Sequence, residues 1–372
     1  MIRLTQPNIS EKAINEVNKV LRSGMLVQGK NVESLETALK EYMHISYALA
    51  TTSGTAALHL ALMALEIKKG DAVFIPAFTF PATANVVEVV GARPYLIDVE
   101  LGTYNIDVDI LEEALNVFKG EEKPKAIIVV HEFGAPSNMT EIMKIAYKYG
   151  LYVIEDAACA LGTEWNGKHV GTFGDVGCFS WHPRKAITTG EGGAVVTKDQ
   201  KLFKKLSLLR NHGIENNEGE IDFIIPGLNY RMTEFQAVIG IDQLNDYEKL
   251  IQKRRLIVEQ YLAGLNNLEN IFLPQKVEGH AWQTFMILLS DIFERSKIIS
   301  ELKDKGIESN LGAQAVHLMY HYKNKYSYIP RDFPNASRLY QNGLALPLHP
   351  QLSEEDVNYI TTSFKEIISK YE

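Results

Sequence analysis

Between Tyr47 and Thr197, short unbroken runs of apolar residues alternate with longer segments whose apolar positions recur every three or four residues. Unbroken runs rich in Val, Ile and aromatics are the pattern of strands buried on both faces. A three-to-four spacing marks the inward stripe of an amphipathic helix. The runs Tyr47–Ala50, Ala72–Ile75, Pro94–Ile97, Ala126–His131, Tyr152–Glu155, Val176–Ser180 and Ala194–Thr197 are therefore expected as strands. The clearest helix is Asn138–Gly150, with Asn138 or Thr140 as cap, Ile142, Ile145 and Ala146 on one face, and Gly150 as stop. Strand and helix in alternation predict an α/β layer structure, a mostly parallel central sheet flanked by helices. Ligands in such sheets sit at the carboxyl ends of the strands.

Further on, the helical pattern Thr233–Leu265 carries charges at Asp246, Glu248, Lys249, Lys253 and Arg254 and reads as one long connector. Beyond it lies a second region, a smaller α+β unit that includes the Pro- and Tyr-rich stretch Tyr320–Pro334. The expected division is a large domain over residues 1–247, whose first residues are placed to pack on the small one, and a small C-terminal domain over 248–372. There is no internal repeat and no low-complexity tract.

Composition narrows the function. Of the 372 residues 46% are hydrophobic and 23% charged, and the formal net charge of -8 argues against a nucleic-acid partner, which would need clustered Lys and Arg. Two cysteines, Cys159 and Cys178, make neither a disulfide framework nor a four-ligand metal site, so no metal is expected. The opening MIRLTQPNISEK lacks a secretory apolar stretch, and no apolar run reaches the roughly 18 residues that span a bilayer. The expectation is a cytoplasmic protein without a membrane partner.

Chemistry concentrates in Ile154–Thr197, IEDAACALGTEWNGKHVGTFGDVGCFSWHPRKAITTGEGGAVVT. Asp156 stands at a strand end, and Lys185 lies in a loop followed by small residues, Thr188 to Gly193, which would let a planar ring approach. An enzyme of pyridoxal 5'-phosphate (PLP) needs a lysine amine to hold the cofactor and a carboxylate to keep its pyridine nitrogen protonated. A bare Asp and Lys could equally be surface charges. Thr51–Ala56, TTSGTA, leads into an apolar helix, and such a start suits a phosphate, because its orphan N–H groups and the helix dipole both favour an anion. An ordinary capped helix, with Ser53 or Thr55 as cap, explains the same residues. PAFTFPATAN (Pro76–Asn85) offers Phe78 and Phe80 to cover a ring, or simply to fill a core.

These segments, with GLNYRMTEFQAVIG (Gly227–Gly240), closely resemble the DegT/DnrJ/EryC1/StrS group of sugar aminotransferases, of the aspartate-aminotransferase fold type I. The resemblance extends from SGMLVQGKNVESLE (Ser23–Glu36) to LALPLHPQLSEEDV (Leu344–Val357) and is most specific over Glu155–Gly193. It implies a PLP fold with a large and a smaller C-terminal domain. Lys185 would hold the cofactor and act as acid and base, and Asp156 would pair with the pyridinium nitrogen. It further implies that Gly54, Thr55 and Ser180 bind the phosphate and that Phe80 stacks on the ring. Asn229 would reach the phosphate of a neighbouring subunit, which makes a homodimer with shared sites the minimal unit. The HPxK context of His182 resembles members that aminate C4 of the sugar and gives His182 a substrate-side role.

The implied reaction moves an amine from L-glutamate, by way of pyridoxamine phosphate, to a 4-keto-6-deoxy sugar on a nucleoside diphosphate. Amination at C3, or of a cyclitol ketone, is the alternative within the same chemistry. A PLP-dependent sugar dehydratase is disfavoured because relatives of that kind carry His where this chain has Lys185, and a non-catalytic regulator would have little need to keep Lys185, Asp156 and the phosphate loop together. One position departs from the family: relatives commonly have Gln where Cys159 stands. Glu191 reads as either catalytic or a brace for the glycine loop. Cys178, His59 and the pair His131-Glu132 read as structural, and Asn211 and His212 as candidates for the substrate channel.

Overall fold

The computed structural model describes residues 1–217, 219–266 and 268–371. Each of the seven apolar runs is a strand: β1 (Tyr47–Thr51), β2 (Asp71–Pro76), β3 (Arg93–Ile97), β4 (Lys123–Val130), β5 (Tyr152–Asp156), β6 (Val176–Ser180) and β7 (Gly193–Thr197). They join in one sheet in the order β1-β7-β6-β5-β4-β2-β3. β7 runs antiparallel to both its neighbours, and the remaining pairings are parallel. Helices cover both faces, which is why these strands read as continuous apolar runs.

Five helices position the site: α1 (Gly54–Ala64), α2 (Ala82–Val89), α3 (Met139–Tyr149), α4 (Glu234–Asn245) and α5 (Tyr247–Leu265). α1 is apolar on nearly every side, and Ala57, Leu60, Ala61 and Leu62 have no exposed surface. α3 has the ends its sequence predicts: the Asn138 side chain accepts from the Glu141 N–H, and Gly150 closes it in the left-handed region (φ 64).

The long helix expected over Thr233–Leu265 is two helices. The backbone breaks at Asp246 (φ -103, ψ 7), where α4 ends and α5 begins. The break re-aims the buried face. Ala237 and Leu244 of α4 pack with Leu35 and Leu39 beside the large sheet, whereas Ile257, Val258, Tyr261 and Leu265 of α5 pack in a separate cluster. No straight helix satisfies both.

That second cluster lies on a three-stranded antiparallel sheet, β8 (Ile271–Phe272), β9 (Phe285–Leu289) and β10 (Gly343–Leu346). The N-terminus joins it through a bridge between Ile2 and Ile307. The Tyr320–Pro334 stretch, expected within the small unit, instead returns to the large sheet's core, where Tyr322 and Phe333 pack with Phe78 and Val87. Glu88 of α2 fixes it by accepting from His321 (2.9 Å), Lys325 (2.7 Å) and Tyr326 (2.6 Å). Among the described residues no helix is long and apolar enough to cross a membrane.

Candidate active site

Parallel strands present their carboxyl ends along one edge, and the chain places its chemistry there. Asp156 ends β5 and Ser180 ends β6. The residues just past β1, β2 and β4 are Ser53 and Gly54, Thr79 and Phe80, and Glu132. Because β7 is reversed, it begins on this edge, with Gly193 paired to Ser180 and to Thr51. The Lys185 loop therefore leaves from and returns to the same edge. A cavity of about 380 Å³ opens there, and Gly54, Thr55, Phe80, Asp156, Ser180, His182 and Lys185 all line it.

The N-terminus of α1 forms one wall. The Ser53 hydroxyl accepts from the Ala56 N–H at 3.0 Å, which leaves the N–H groups of Gly54 and Thr55 in the first turn without a helical acceptor. Gly54 has no room for a side chain, since a Cβ would stand 2.7 Å from the Ser180 Cβ. At Gly193 a Cβ would stand 2.7 Å from the Gly54 nitrogen. Two glycines thus bring a helix N-terminus and the Ser180 hydroxyl together as an anion cradle, and these residues fit the phosphate of PLP. Gly54→Val should lower phosphate affinity by on the order of tenfold or more while α1 persists, as read from a titration with PLP.

Opposite the cradle, Asp156 is buried. Its Oδ2 accepts from the Thr83 hydroxyl at 2.8 Å and its Oδ1 from the Ala158 N–H at 3.2 Å. Burial pushes its carboxyl above the ordinary aspartate range, and Thr83, Ala158 and Lys185 offset this only partly. A cation beside it, such as a protonated ring nitrogen, would reverse that shift. Lys185 Nζ donates to Cys159 Sγ at 3.0 Å. Burial opposes the lysine charge, yet Cys159, Asp156 and Glu132 hold its ammonium above the ordinary range. The Cys159 thiol is itself pushed up by burial. It faces the lysine at the position where relatives commonly carry Gln.

His182 and Glu191 both line the cavity, with Nε2 and Oε1 4.0 Å apart. Burial lowers the His182 pKa. The Glu191 carbonyl accepts from Thr189 Oγ1 (2.7 Å) and Gln236 Nε2 (2.6 Å), so its backbone braces the glycine loop whatever its side chain does. Phe80 is 58% exposed at the rim. Asn229 does not line the cavity and is exposed. Its segment is held beside α1 by a bridge between Thr51 and Arg231 and by the Thr52 N–H donating to the Tyr230 carbonyl at 3.1 Å. Asn211 and His212 lie outside the lining as well. His59 pairs with the Tyr230 hydroxyl at 3.0 Å, and Cys178 is buried in the core.

The pair His131-Glu132 divides. His131 is buried against Glu155 at 3.1 Å, while Glu132 faces the cavity. Glu132, read from the sequence as structural, lines the cavity, as do Thr83 and Gln283, which the motifs did not single out. Thr83 stands three residues after Phe80 in a segment already noted for its aromatics, so its hydroxyl was the available signal. Gln283 has none: it comes from the distant strand β9 region and donates from Nε2 to the Arg184 carbonyl at 2.7 Å, beside Lys185.

A buried carboxylate, a lysine and a helix N-terminus around one cavity, at the carboxyl edge of a mostly parallel sheet, fit the class of PLP-dependent transferases. A profile of the DegT/DnrJ/EryC1/StrS aminotransferase family matches residues 7–365, and the chain belongs to that family. It is 36% identical over 369 residues to a GDP-perosamine synthase of Escherichia coli O157:H7, covering 99% of each chain. Its fold superposes on a Streptococcus pneumoniae protein named as a sugar aminotransferase, in its PMP form, with a TM-score of 0.93, 31% identity and 100% of both chains covered. Helicobacter pylori PseC, an aminotransferase involved in the biosynthesis of pseudoaminic acid, gives a TM-score of 0.92 at 28% identity over 99% of each chain.

Proposed function

We propose that this enzyme takes an amino group from L-glutamate and places it on the C4 keto group of a nucleoside-diphosphate-linked 4-keto-6-deoxy sugar, with PLP as cofactor and pyridoxamine phosphate as its aminated form. The observation that carries this reading is the convergence of Lys185, Asp156, Ser180 and the start of α1 on one cavity. A relative whose name specifies a GDP-linked amino sugar supports a nucleotide sugar as acceptor, and the His182 context supports C4.

PLP, when bound, supplies an aldehyde that takes up amines and a ring that withdraws electrons. The residues supply the rest. Gly54, Thr55 and Ser180 bind the phosphate and fix the ring's position. Phe80 covers the ring face, and Asp156 holds a proton at the ring nitrogen. Lys185 Nζ anchors the ring and moves the proton at the substrate carbon that carries nitrogen. His182 orients the sugar, with Glu191 beside it. The exposed Asn229 serves the phosphate of a second subunit in a cytoplasmic homodimer, with the chain divided near residues 247 and 248 into large and small domains and the Tyr320–Pro334 stretch returning to the large one.

The test is the visible spectrum of the protein with PLP, before and after L-glutamate. A band at roughly 410–430 nm that moves to shorter wavelength with glutamate is expected. No band under any condition would refute the cofactor assignment. Asp156→Asn removes the charge but not the shape, so PLP affinity should fall by on the order of 10- to 100-fold, read from the same band in an equilibrium titration. Unchanged affinity would mean that another group holds the ring proton.

A further inference from the structure

The peptide that joins Arg184 to Lys185 is held at both of its ends. The Lys185 N–H donates to the His182 carbonyl at 2.8 Å, and the Arg184 carbonyl accepts from Gln283 Nε2 at 2.7 Å. A peptide unit is planar, so two fixed ends fix the plane, and with it the direction in which the Lys185 side chain leaves the backbone. His182 belongs to the same loop, whereas Gln283 stands before β9, 99 residues beyond Arg184. The bonds from α4 fall elsewhere in the loop: the Thr188 N–H donates to Gln243 Oε1 at 3.1 Å, and Gln236 Nε2 donates to the Glu191 carbonyl at 2.6 Å.

Gln283 is fixed in turn. Its N–H donates to the Phe133 carbonyl at 2.9 Å, its carbonyl accepts from Arg254 Nη1 of α5 at 3.1 Å, and its Oε1 accepts from the Thr284 hydroxyl at 2.9 Å. The orientation of the amide follows from these partners. A carbonyl only accepts, so the nitrogen must face Arg184, which leaves Oε1 for the hydroxyl. Gln283 and Arg254 are 6% and 4% exposed, so the connection from α5 to the lysine loop runs through a dry interior. The backbone on either side of it is strained, with Trp282 and Phe133 both at φ 54. Bulky residues keep a positive φ only where their surroundings over-determine it, and such strain gathers at functional sites.

We propose that Gln283 is a positioning residue for Lys185, setting through the Arg184 carbonyl where the lysine amine stands relative to the reacting carbon. The leverage is large. A side chain about 6 Å long, turned by about 10° at its root, moves its tip by about 1 Å, and misplacement of that size costs up to about 100-fold in rate. Gln283 acts through the peptide and not on the reacting atoms. The role in amino transfer rests on the PLP reading, whereas the tether on the loop does not.

Two measurements test this. In the cofactor-free protein, Gln283→Ala should speed hydrogen exchange at the Lys185 amide on the order of tenfold, while the amides of β4 and β5 exchange as in the wild type. Unchanged exchange at Lys185 overturns the tether, whether or not PLP binds. In the PLP-loaded protein, single turnovers with L-glutamate and with its α-deuterated form separate proton movement from binding. Gln283→Ala should slow the spectral change on the order of tenfold at saturating glutamate, with half-saturation kept within about twofold and a deuterium effect at least as large as that of the wild type. A wild-type rate, a loss confined to glutamate affinity, or a smaller deuterium effect reduces Gln283 to a structural brace and overturns the positioning role. Gln283→Glu, close in volume, serves if the alanine variant does not fold. At alkaline pH its carboxylate has no hydrogen for the Arg184 carbonyl and should repeat both defects, and wild-type behaviour there overturns the proposal. A wild type that develops no visible band fails at the cofactor assignment, and the exchange result still decides the tether.

Discussion

Lys185→Ala should abolish amino transfer, with a loss on the order of 10⁴-fold or more, because in the proposed mechanism one side chain carries both the anchoring amine and the moving proton. Neither function has a substitute within reach. Cys159, in contact with Nζ at 3.0 Å, is kept a thiol by burial, and the carboxyls of Asp156 and Glu132 cannot form the same bond. The fold should survive, since the lysine lies in a loop and fills no core volume. Removing its charge takes a stabilising cation from both Asp156 and Glu132, and both can answer by binding a proton, as their raised pKa values already favour. Single-turnover assays with L-glutamate measure the first effect and thermal melts the second. Retained turnover would end the proposed mechanism.

Glu155→Ala should unfold the protein far more readily, at a cost of about 3–5 kcal/mol. Glu155 has no exposed surface, and its two oxygens accept from His131 (3.1 Å) and from the N–H groups of Gly171 (2.6 Å), Phe173 (2.7 Å) and Gly174 (2.7 Å). Alanine strands four donors in a dry interior. Burial works against the Glu155 charge, but His131 and the loop N–H groups outweigh it and hold the carboxyl below the ordinary glutamate range. A carboxyl with a depressed folded-state pKa contributes stability that is present above its unfolded pKa and is lost as pH falls through the folded value. Wild-type stability should therefore decline on acidification through that window, and Glu155→Ala should show a flatter acid branch. Chemical denaturation at neutral and acid pH measures both, and equal acid slopes would show that Glu155 is not the group responsible.

The large sheet was legible because its strands are buried on both faces, so every position in Ala126–Val130 or Val153–Asp156 had to be apolar or specially paired. The same logic failed where polar residues hide a change of face. Asp246 reads as one more charged position of a continuing helix, although it marks the point where the buried stripe passes from one core to another. In the site, residues close in sequence to a motif were legible, such as Lys185 and Asp156. Those brought in by tertiary packing were not. Glu132 looked like a strand end because it comes just past β4, and nothing local announces that the fold turns it into the cavity.

The single reversed strand has a consequence for how the enzyme can vary. Because β6 and β7 are paired in register, the loop between Ser180 and Gly193 is closed at its base by the ladder itself. Lengthening such a loop costs little, only about 0.6 kcal/mol for each doubling. A residue inserted at the exposed Arg184, away from the buried Trp181, Ile187 and Thr188, would thus change the melting behaviour little while carrying the lysine away from the proposed cofactor site. Tolerance of the scaffold and tolerance of the chemistry are separated at this hairpin, and a library of length variants there should yield soluble, well-folded and inactive protein.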